Sequence, residues 1–334
     1  MIAKSESIGI IGGGAWGTAL AAASKQAGRD VTLWAREADV VEAITVENEN
    51  SVFLPGITLD PAIRATNDIA EACVVDAILL VCPAQHLRGV SRDLSKAIAA
   101  ETPVVICAKG IEQDSLMLMS DVLAETLPDS PIGVLSGPTF AAEVAQNKPT
   151  AVTLAIKDNK IGEAIVKALG HARFRPYLTN DVRGAQIGGA IKNVLAIASG
   201  IVAGGRMGNN AAAALITRGL AEIMRLGLAL GAKSHTLMGL SGLGDLVLTC
   251  SSLQSRNMSL GAALGEGRKL ANILAERKSV TEGIYTASAV VNLAAKHGVE
   301  MPISEAMDRI LNQDSPVGEE IEKLLSRPFR SEAI

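Results

Sequence analysis

The stretch Ile8-Gly9-Ile10-Ile11-Gly12-Gly13-Gly14-Ala15-Trp16-Gly17-Thr18-Ala19-Leu20, followed by Val31-Thr32-Leu33-Trp34-Ala35-Arg36, decides the fold. Ile8 to Ile11 read as a buried strand. Thr18 to Ala27 read as a helix of small residues stopped by Gly28, and Val31 to Trp34 read as a second strand. The turn between the first two fits G-x-G-x-x-G with Gly12, Gly14 and Gly17 in the glycine places. Gly12 permits a tight turn, Gly14 lets the backbone approach a pyrophosphate, and Gly17 lets the helix lie close to the sheet. The free N–H groups and positive dipole end of such a helix hold a diphosphate. In this strand–turn–helix–strand frame the motif predicts dinucleotide binding.

The end of the second strand bears on which dinucleotide. An NAD-specific site usually places Asp or Glu there to accept from the ribose 2′-hydroxyl. Here Ala35, Arg36 and Glu37 follow the strand. A guanidinium can clasp a 2′-phosphate that a carboxylate would repel, so Arg36 points to NADP(H). Two readings compete: Arg36 as a solvated helix-start residue, and Glu37 reaching the ribose to favour NAD(H).

The chain has 334 residues, enough for two domains, and 48% hydrophobic residues, which fits an ordered α/β protein. A net charge of −4 gives no footprint for nucleic acid or an anionic membrane. Cys73, Cys82, Cys107 and Cys250 form no CxxC pair, and reduced thiols fit a cytoplasmic location. His86, His171, His235 and His297 lack metal-ligand spacing, so no metal is expected. Lys4 and Ala21-Ala22-Ala23 loosely mimic a secretory signal, but the intervening glycines argue against its helical core. The apolar run 194–205 is shorter than the ~20 residues a spanning helix needs.

Strand and helix signals alternate through the first half, with further strands expected at 75–81, 103–108, 132–135, 151–155 and 174–178. Helices are expected at 85–99 and 114–127, and 50–61 reads as a turn-rich excursion. This alternation predicts a mostly parallel sheet covered on both faces. Beyond residue 181 the periodicity turns helical, at 181–202, 209–230, 283–297 and 303–311. The expectation is an α/β Rossmann-type domain over 1–181 and an all-α domain over 182–334.

Ligands of open parallel sheets bind beyond the carboxyl ends of the strands. Lys109-Gly110, Ser136-Gly137-Pro138-Thr139 and Cys82-Pro83-Ala84 fall there. Lys109 is either a solvated loop lysine or a site residue. Lys192-Asn193 interrupts an apolar helix, where a lysine is costly unless paired, useful or snorkelling outward. Ser241-Gly242-Leu243-Gly244-Asp245 reads as a tight turn that puts Asp245 at a helix start or in a cleft. Ser255-Arg256-Asn257 reads as a helix entry that caps itself or binds phosphate.

Taken in order, Gly12 to Leu20, Ala108-Lys109-Gly110, Ser136 to Ala141, Gly188-Gly189-Ala190-Ile191-Lys192-Asn193-Val194, Gly242-Leu243-Gly244-Asp245-Leu246 and Ser255-Arg256-Asn257 resemble the bacterial NAD(P)-dependent glycerol-3-phosphate dehydrogenases. The resemblance runs from about residue 8 to about residue 312. It implies NAD(P)H-dependent, reversible reduction of dihydroxyacetone phosphate to sn-glycerol 3-phosphate, the glycerophospholipid backbone, at a site between the two domains. It implies Lys192 as proton donor and acceptor, with Asp245 and Lys109 as catalytic partners. Lys109, Gly137, Thr139, Lys192, Asp245, Ser255, Arg256 and Asn257 would surround the substrate. Besides the three motif glycines, Ala15, Trp16, Arg36, Lys109, Ala141, Arg256, Val280 and Glu282 would border the cofactor. Ala15 stands where relatives often carry Ser and offers only its backbone N–H.

The expected partner is a small phosphorylated triose, with no nucleic acid and no stable membrane insertion. The oligomeric state is not fixed by the sequence, which leaves a homodimer open. Rival readings are a β-hydroxyacid dehydrogenase or ketopantoate reductase, which would need a carboxylate site, and a non-catalytic dinucleotide sensor, which would not need Lys192 beside Asp245.

Overall fold

Runs of β-branched and leucine residues with both faces apolar can only be satisfied inside a covered parallel sheet. The computed structural model, which describes residues 6–276, 282–329 and 331, places them there. The strands are β1 (Ser7–Ile11), β2 (Asp30–Trp34), β3 (Arg64–Thr66), β4 (Ala77–Leu80), β5 (Val104–Ile106), β6 (Ile132–Ser136), β7 (Thr150–Ile156) and β8 (Phe174–Thr179). They form one sheet in the order β3-β2-β1-β4-β5-β6-β7-β8. Every pairing is parallel except β6 with β7. The strand order reverses between β1 and β4, the switch point where open α/β sheets bind ligands. Ile8, Ile10, Leu33, Leu79, Val105, Leu135, Leu154 and Phe174 form the core of this layer with Leu20.

The helices of this part are α1 (Ala15–Gln26), α2 (Ala38–Glu42), α3 (Leu87–Leu94), α4 (Met119–Thr126), α5 (Ala141–Ala145) and α6 (Asn159–Leu169). They are followed by α7 (Val182–Gly204), α8 (Asn209–Ala229), α9 (Ser234–Leu237), α10 (Asp245–Cys250), α11 (Arg256–Gly265), α12 (Leu270–Ala275), α13 (Glu282–Lys296), α14 (Pro302–Asn312) and α15 (Val317–Leu325). The fold class is thus the expected one, a Rossmann-type sheet domain and then a helical domain.

The boundary differs from the expected residue 181. The chain divides into one unit of 1–108 and 118–185 and a second of 109–117 and 186–334. The division falls inside α7, and the loop 109–117 packs with the helical unit. Hydrophobic periodicity marks where helices begin, whereas packing decides which unit a segment joins. β3 was read as part of no strand, and the expected helix 114–127 begins only at Met119. Leu116 has a left-handed φ of 58°, which a right-handed helix cannot continue through.

Helix α7 is apolar on all sides because it is a core helix. It is the one described helix long and apolar enough to cross a membrane, longer than the 194–205 run, and 89% of its apolar window is buried inside the protein. Its small residues let another helix lie directly on its backbone. A Cβ on Gly200 or Gly204 would overlap the carbonyl of Met258 or Ala262 in α11, and one on Gly261 would overlap Ile197 O.

Candidate active site and dinucleotide turn

In the sheet unit, β1 runs into the glycine turn and then α1. Gly12 has φ +130°, and a Cβ there would stand 3.0 Å from the Val81 carbonyl carbon at the end of β4. A Cβ on Gly17 would overlap Gly12 O, so the helix start sits directly on the turn. Gly14 is the opposite case: nothing lies within 4 Å of its absent Cβ. No side chain caps α1, and its first turn carries no acid. The buried Trp16 indole N–H has no acceptor among the described residues. An uncapped helix N-terminus, an open glycine and an unanswered donor fit a bound diphosphate-bearing group, with Ala15, Trp16 and Gly17 contributing main-chain N–H groups.

Arg36 follows β2 and is largely exposed. Its guanidinium donates to Glu37 Oε1 through Nη2 at 2.8 Å and Nε at 3.1 Å. The two residues that competed in the sequence are therefore paired with each other. At the carboxyl end of β6, a Cβ on Gly137 would stand 2.9 Å from Val152 Cα. The Thr139 hydroxyl donates to Gly137 O at 3.2 Å. Ala141 opens α5.

In the helical unit, Gly188 and Lys192 lie one turn apart on the same face of α7. A Cβ at Gly188 would stand 2.5 Å from Ser241 O and 2.7 Å from Gly242 Cα. The missing side chain lets the turn 240–244 rest on α7, and that turn delivers Asp245 to the first position of α10. Asp245 is fully buried, and each carboxylate oxygen receives one lysine. Lys192 Nζ is 2.6 Å from Oδ1, and Lys109 Nζ is 2.7 Å from Oδ2. Lys192 Nζ also donates to Thr249 Oγ1 at 2.8 Å. Neither snorkelling for Lys192 nor a solvated loop position for Lys109 survives this geometry.

Burial is the largest influence on Lys192 and pulls its pKa down to about 8. The neighbouring Asp245 opposes the shift and Lys109 reinforces it. Cys250, next to Thr249, is pushed up to about 12 by burial, which leaves an inert thiol.

Ser255 is the N-cap of α11, its hydroxyl accepting from Met258 N–H at 3.2 Å. The Asn257 amide is also committed. It donates to Asn193 Oδ1 at 3.0 Å and accepts from Gly283 N–H at 3.1 Å, joining α7, α11 and the start of α13. Arg256, between them, is exposed at the first turn of α11. Burial raises the pKa of Glu282 at the start of α13, while the positive charges of Arg256, Lys109 and Lys192 oppose that rise. Val280 lies outside the described residues. The sequence reading missed Thr249, although its place one turn beyond Asp245 on α10 was visible in the spacing. It gave no role to Asn193. Among the described residues no cluster of three metal-ligating side chains occurs.

A dinucleotide turn at the switch point of a parallel sheet, and a buried lysine–aspartate–lysine cluster in a helical unit, define a two-unit nicotinamide-dependent dehydrogenase architecture. Comparison with known proteins narrows this. Residues 7–162 match the model of the NAD-dependent glycerol-3-phosphate dehydrogenase N-terminus, and residues 181–322 match that of its C-terminus. The chain belongs to this family. It is 58% identical over 325 residues to the glycerol-3-phosphate dehydrogenase [NAD(P)+] of Parvibaculum lavamentivorans, covering 97% of this chain and 98% of that one. It is 60% identical over 326 residues to that of Rhodospirillum rubrum, covering 97% and 93%. The crystal structure of glycerol-3-phosphate dehydrogenase from Coxiella burnetii superposes with a TM-score of 0.93 at 39% identity, covering 97% of this chain and 100% of that one.

Proposed function

We propose that this chain catalyses the reversible NAD(P)H-dependent reduction of dihydroxyacetone phosphate to sn-glycerol 3-phosphate, with Lys192 as the general acid and base. The observation that carries the assignment of Lys192 is its burial against Asp245 and Thr249. Bound at the glycine turn, the nicotinamide cofactor supplies the hydride that reaches the ketone carbon.

The residues of the helical unit deal with the charge and the proton. Hydride addition leaves negative charge on the carbonyl oxygen. Asp245 and Thr249 occupy two of the three ammonium protons of Lys192, which leaves one to donate to that oxygen. The ammonium stabilises the developing alkoxide and then protonates it. In the reverse direction the neutral amine takes the proton from the hydroxyl. A pKa of about 8 makes both forms accessible near neutrality. Asp245 holds both lysines, and the pair of cations leaves the cluster net positive, which suits a phosphorylated substrate. Arg256 and the main-chain N–H groups at the start of α11 are assigned to the substrate phosphate, with Ser255 and Asn257 shaping that turn. The four cysteines are buried and none is in a disulfide, which supports a reducing, cytoplasmic setting.

The test is a substrate panel. Dihydroxyacetone phosphate should be reduced efficiently, free dihydroxyacetone poorly, and ketopantoate and 2-keto acids not measurably. Preferred turnover of a keto acid would overturn the assignment, and binding of NAD(P)H without turnover of any of them would leave the sensor reading.

A further inference from the structure

Asn50 lies in the irregular segment after α2, outside every motif that pointed to the site, yet it is fully buried. Both amide hydrogens and the amide oxygen are engaged. Nδ2 donates to Gly13 O at 2.8 Å and to Thr18 Oγ1 at 2.7 Å. Oδ1 accepts from Phe53 N–H at 3.0 Å. One planar group therefore ties the middle of the glycine turn to the second turn of α1 and to the loop that follows.

The peptide unit between Gly13 and Gly14 is planar and trans, so its carbonyl and its N–H point in opposite directions. Fixing Gly13 O toward the buried amide turns Gly14 N–H the other way, out of the interior. Gly13 is buried and Gly14 exposed, consistent with that orientation. Glycine at both positions leaves this peptide unusually free to rotate, so its direction must be set by a contact. Asn50 supplies it.

We propose that Asn50 is a positioning residue for the cofactor diphosphate: it sets the Gly13–Gly14 peptide so that Gly14 N–H joins the free N–H groups at the start of α1 in facing one anionic group. The proposal rests on the dinucleotide-binding reading of the turn. Only an amide provides two donors and one acceptor in the required plane. Leucine keeps much of the volume and supplies none of them. Aspartate keeps the shape and the bond from Phe53 but replaces both donors with an acceptor that faces the Gly13 carbonyl.

The experiment is calorimetric titration of wild type, Asn50→Leu, Asn50→Asp and Thr18→Val with NADH, ADP and adenosine, after thermal melts confirm folding. ADP carries the diphosphate, and adenosine carries only the base and ribose. Hydrogen bonds to charged groups are worth about 1.5–3 kcal/mol, so both Asn50 variants should weaken ADP and NADH roughly tenfold or more. Adenosine should change by less than about threefold, as should ADP in Thr18→Val, which keeps the bond to Gly13. Asn50→Asp, which preserves volume and the Phe53 contact, carries the test if the leucine variant does not fold. Equal losses for ADP and adenosine would reduce Asn50 to a structural residue and overturn the proposal. Failure of wild type to bind ADP and NADH would instead overturn the dinucleotide reading itself.

Discussion

Lys192 shows how one residue is tuned by opposed forces: burial and Lys109 lower its proton affinity, and Asp245 keeps it from falling further. Replacing it with alanine should cut kcat by ~10²–10⁴-fold, the usual contribution of a general acid–base group, while NADH affinity measured by titration stays within a few-fold. A variant keeping a tenth or more of wild-type kcat would remove Lys192 from this role. Arg36 is tuned differently. Its bond to Glu37 is largely solvent-exposed and worth about 0–1 kcal/mol, so a 2′-phosphate can displace the carboxylate. Arg36→Asp should therefore lower kcat/KM for NADPH by roughly tenfold or more relative to NADH, since attraction becomes repulsion at one phosphate. Equal losses for the two cofactors would make Arg36 structural. For Arg256, alanine should cost about tenfold to a hundredfold in kcat/KM for dihydroxyacetone phosphate but little for free dihydroxyacetone. Equal losses with both substrates would place the phosphate elsewhere. The sequence reached these residues because each sits in a recognisable local pattern. It did not reach Asn50, whose partners are 32 and 37 positions away and whose surroundings look like an ordinary turn.

Elements were legible in proportion to their apolar signal. β1, β2, β6 and β7 were found within a residue or two of their ends because their buried runs stand out. β3 was not, because Arg64-Ala65-Thr66 is a three-residue edge strand with no apolar run, recognised only by pairing with Thr32, Leu33 and Trp34. The segment after α14 carried no usable motif, yet it forms α15, which is tied to α14 by charge. Glu320 of α15 has a fully buried side chain that receives Arg309 of α14 at 2.7 Å, Lys323 at 2.7 Å and Ser315 at 2.8 Å. These partners hold its carboxyl far below the ordinary 4.5, at about 2. A depressed folded-state pKa contributes stability that is present above pH 4.5 and lost as pH falls through 2. Glu320→Gln should cost about 1–2 kcal/mol at neutral pH, moderated because both cations are partly exposed and can rehydrate. Denaturant melts of the two proteins should converge between pH 4.5 and 2. A constant gap across that range would mean that the clasp does not act through the charge of Glu320.

At the scale of the whole molecule, the alternation of strand and helix signals foretold the sheet unit, and the later helical periodicity foretold the second. What periodicity could not foretell was membership: the loop 109–117 follows a sheet strand but joins the helical unit. That membership is what brings Lys109 to Asp245, 136 positions away, and completes the cluster around Lys192. The pH dependence of kcat/KM in both directions tests the resulting account most directly, with dihydroxyacetone phosphate and NADH in one and sn-glycerol 3-phosphate and NAD in the other. With Lys192 as the proposed acid and base, reduction would use its protonated form and should decline as pH rises through about 8, whereas oxidation would use the neutral amine and should rise over the same range. Parallel profiles, or opposed profiles that persist unchanged in Lys192→Ala, would contradict the assignment of the proton to Lys192.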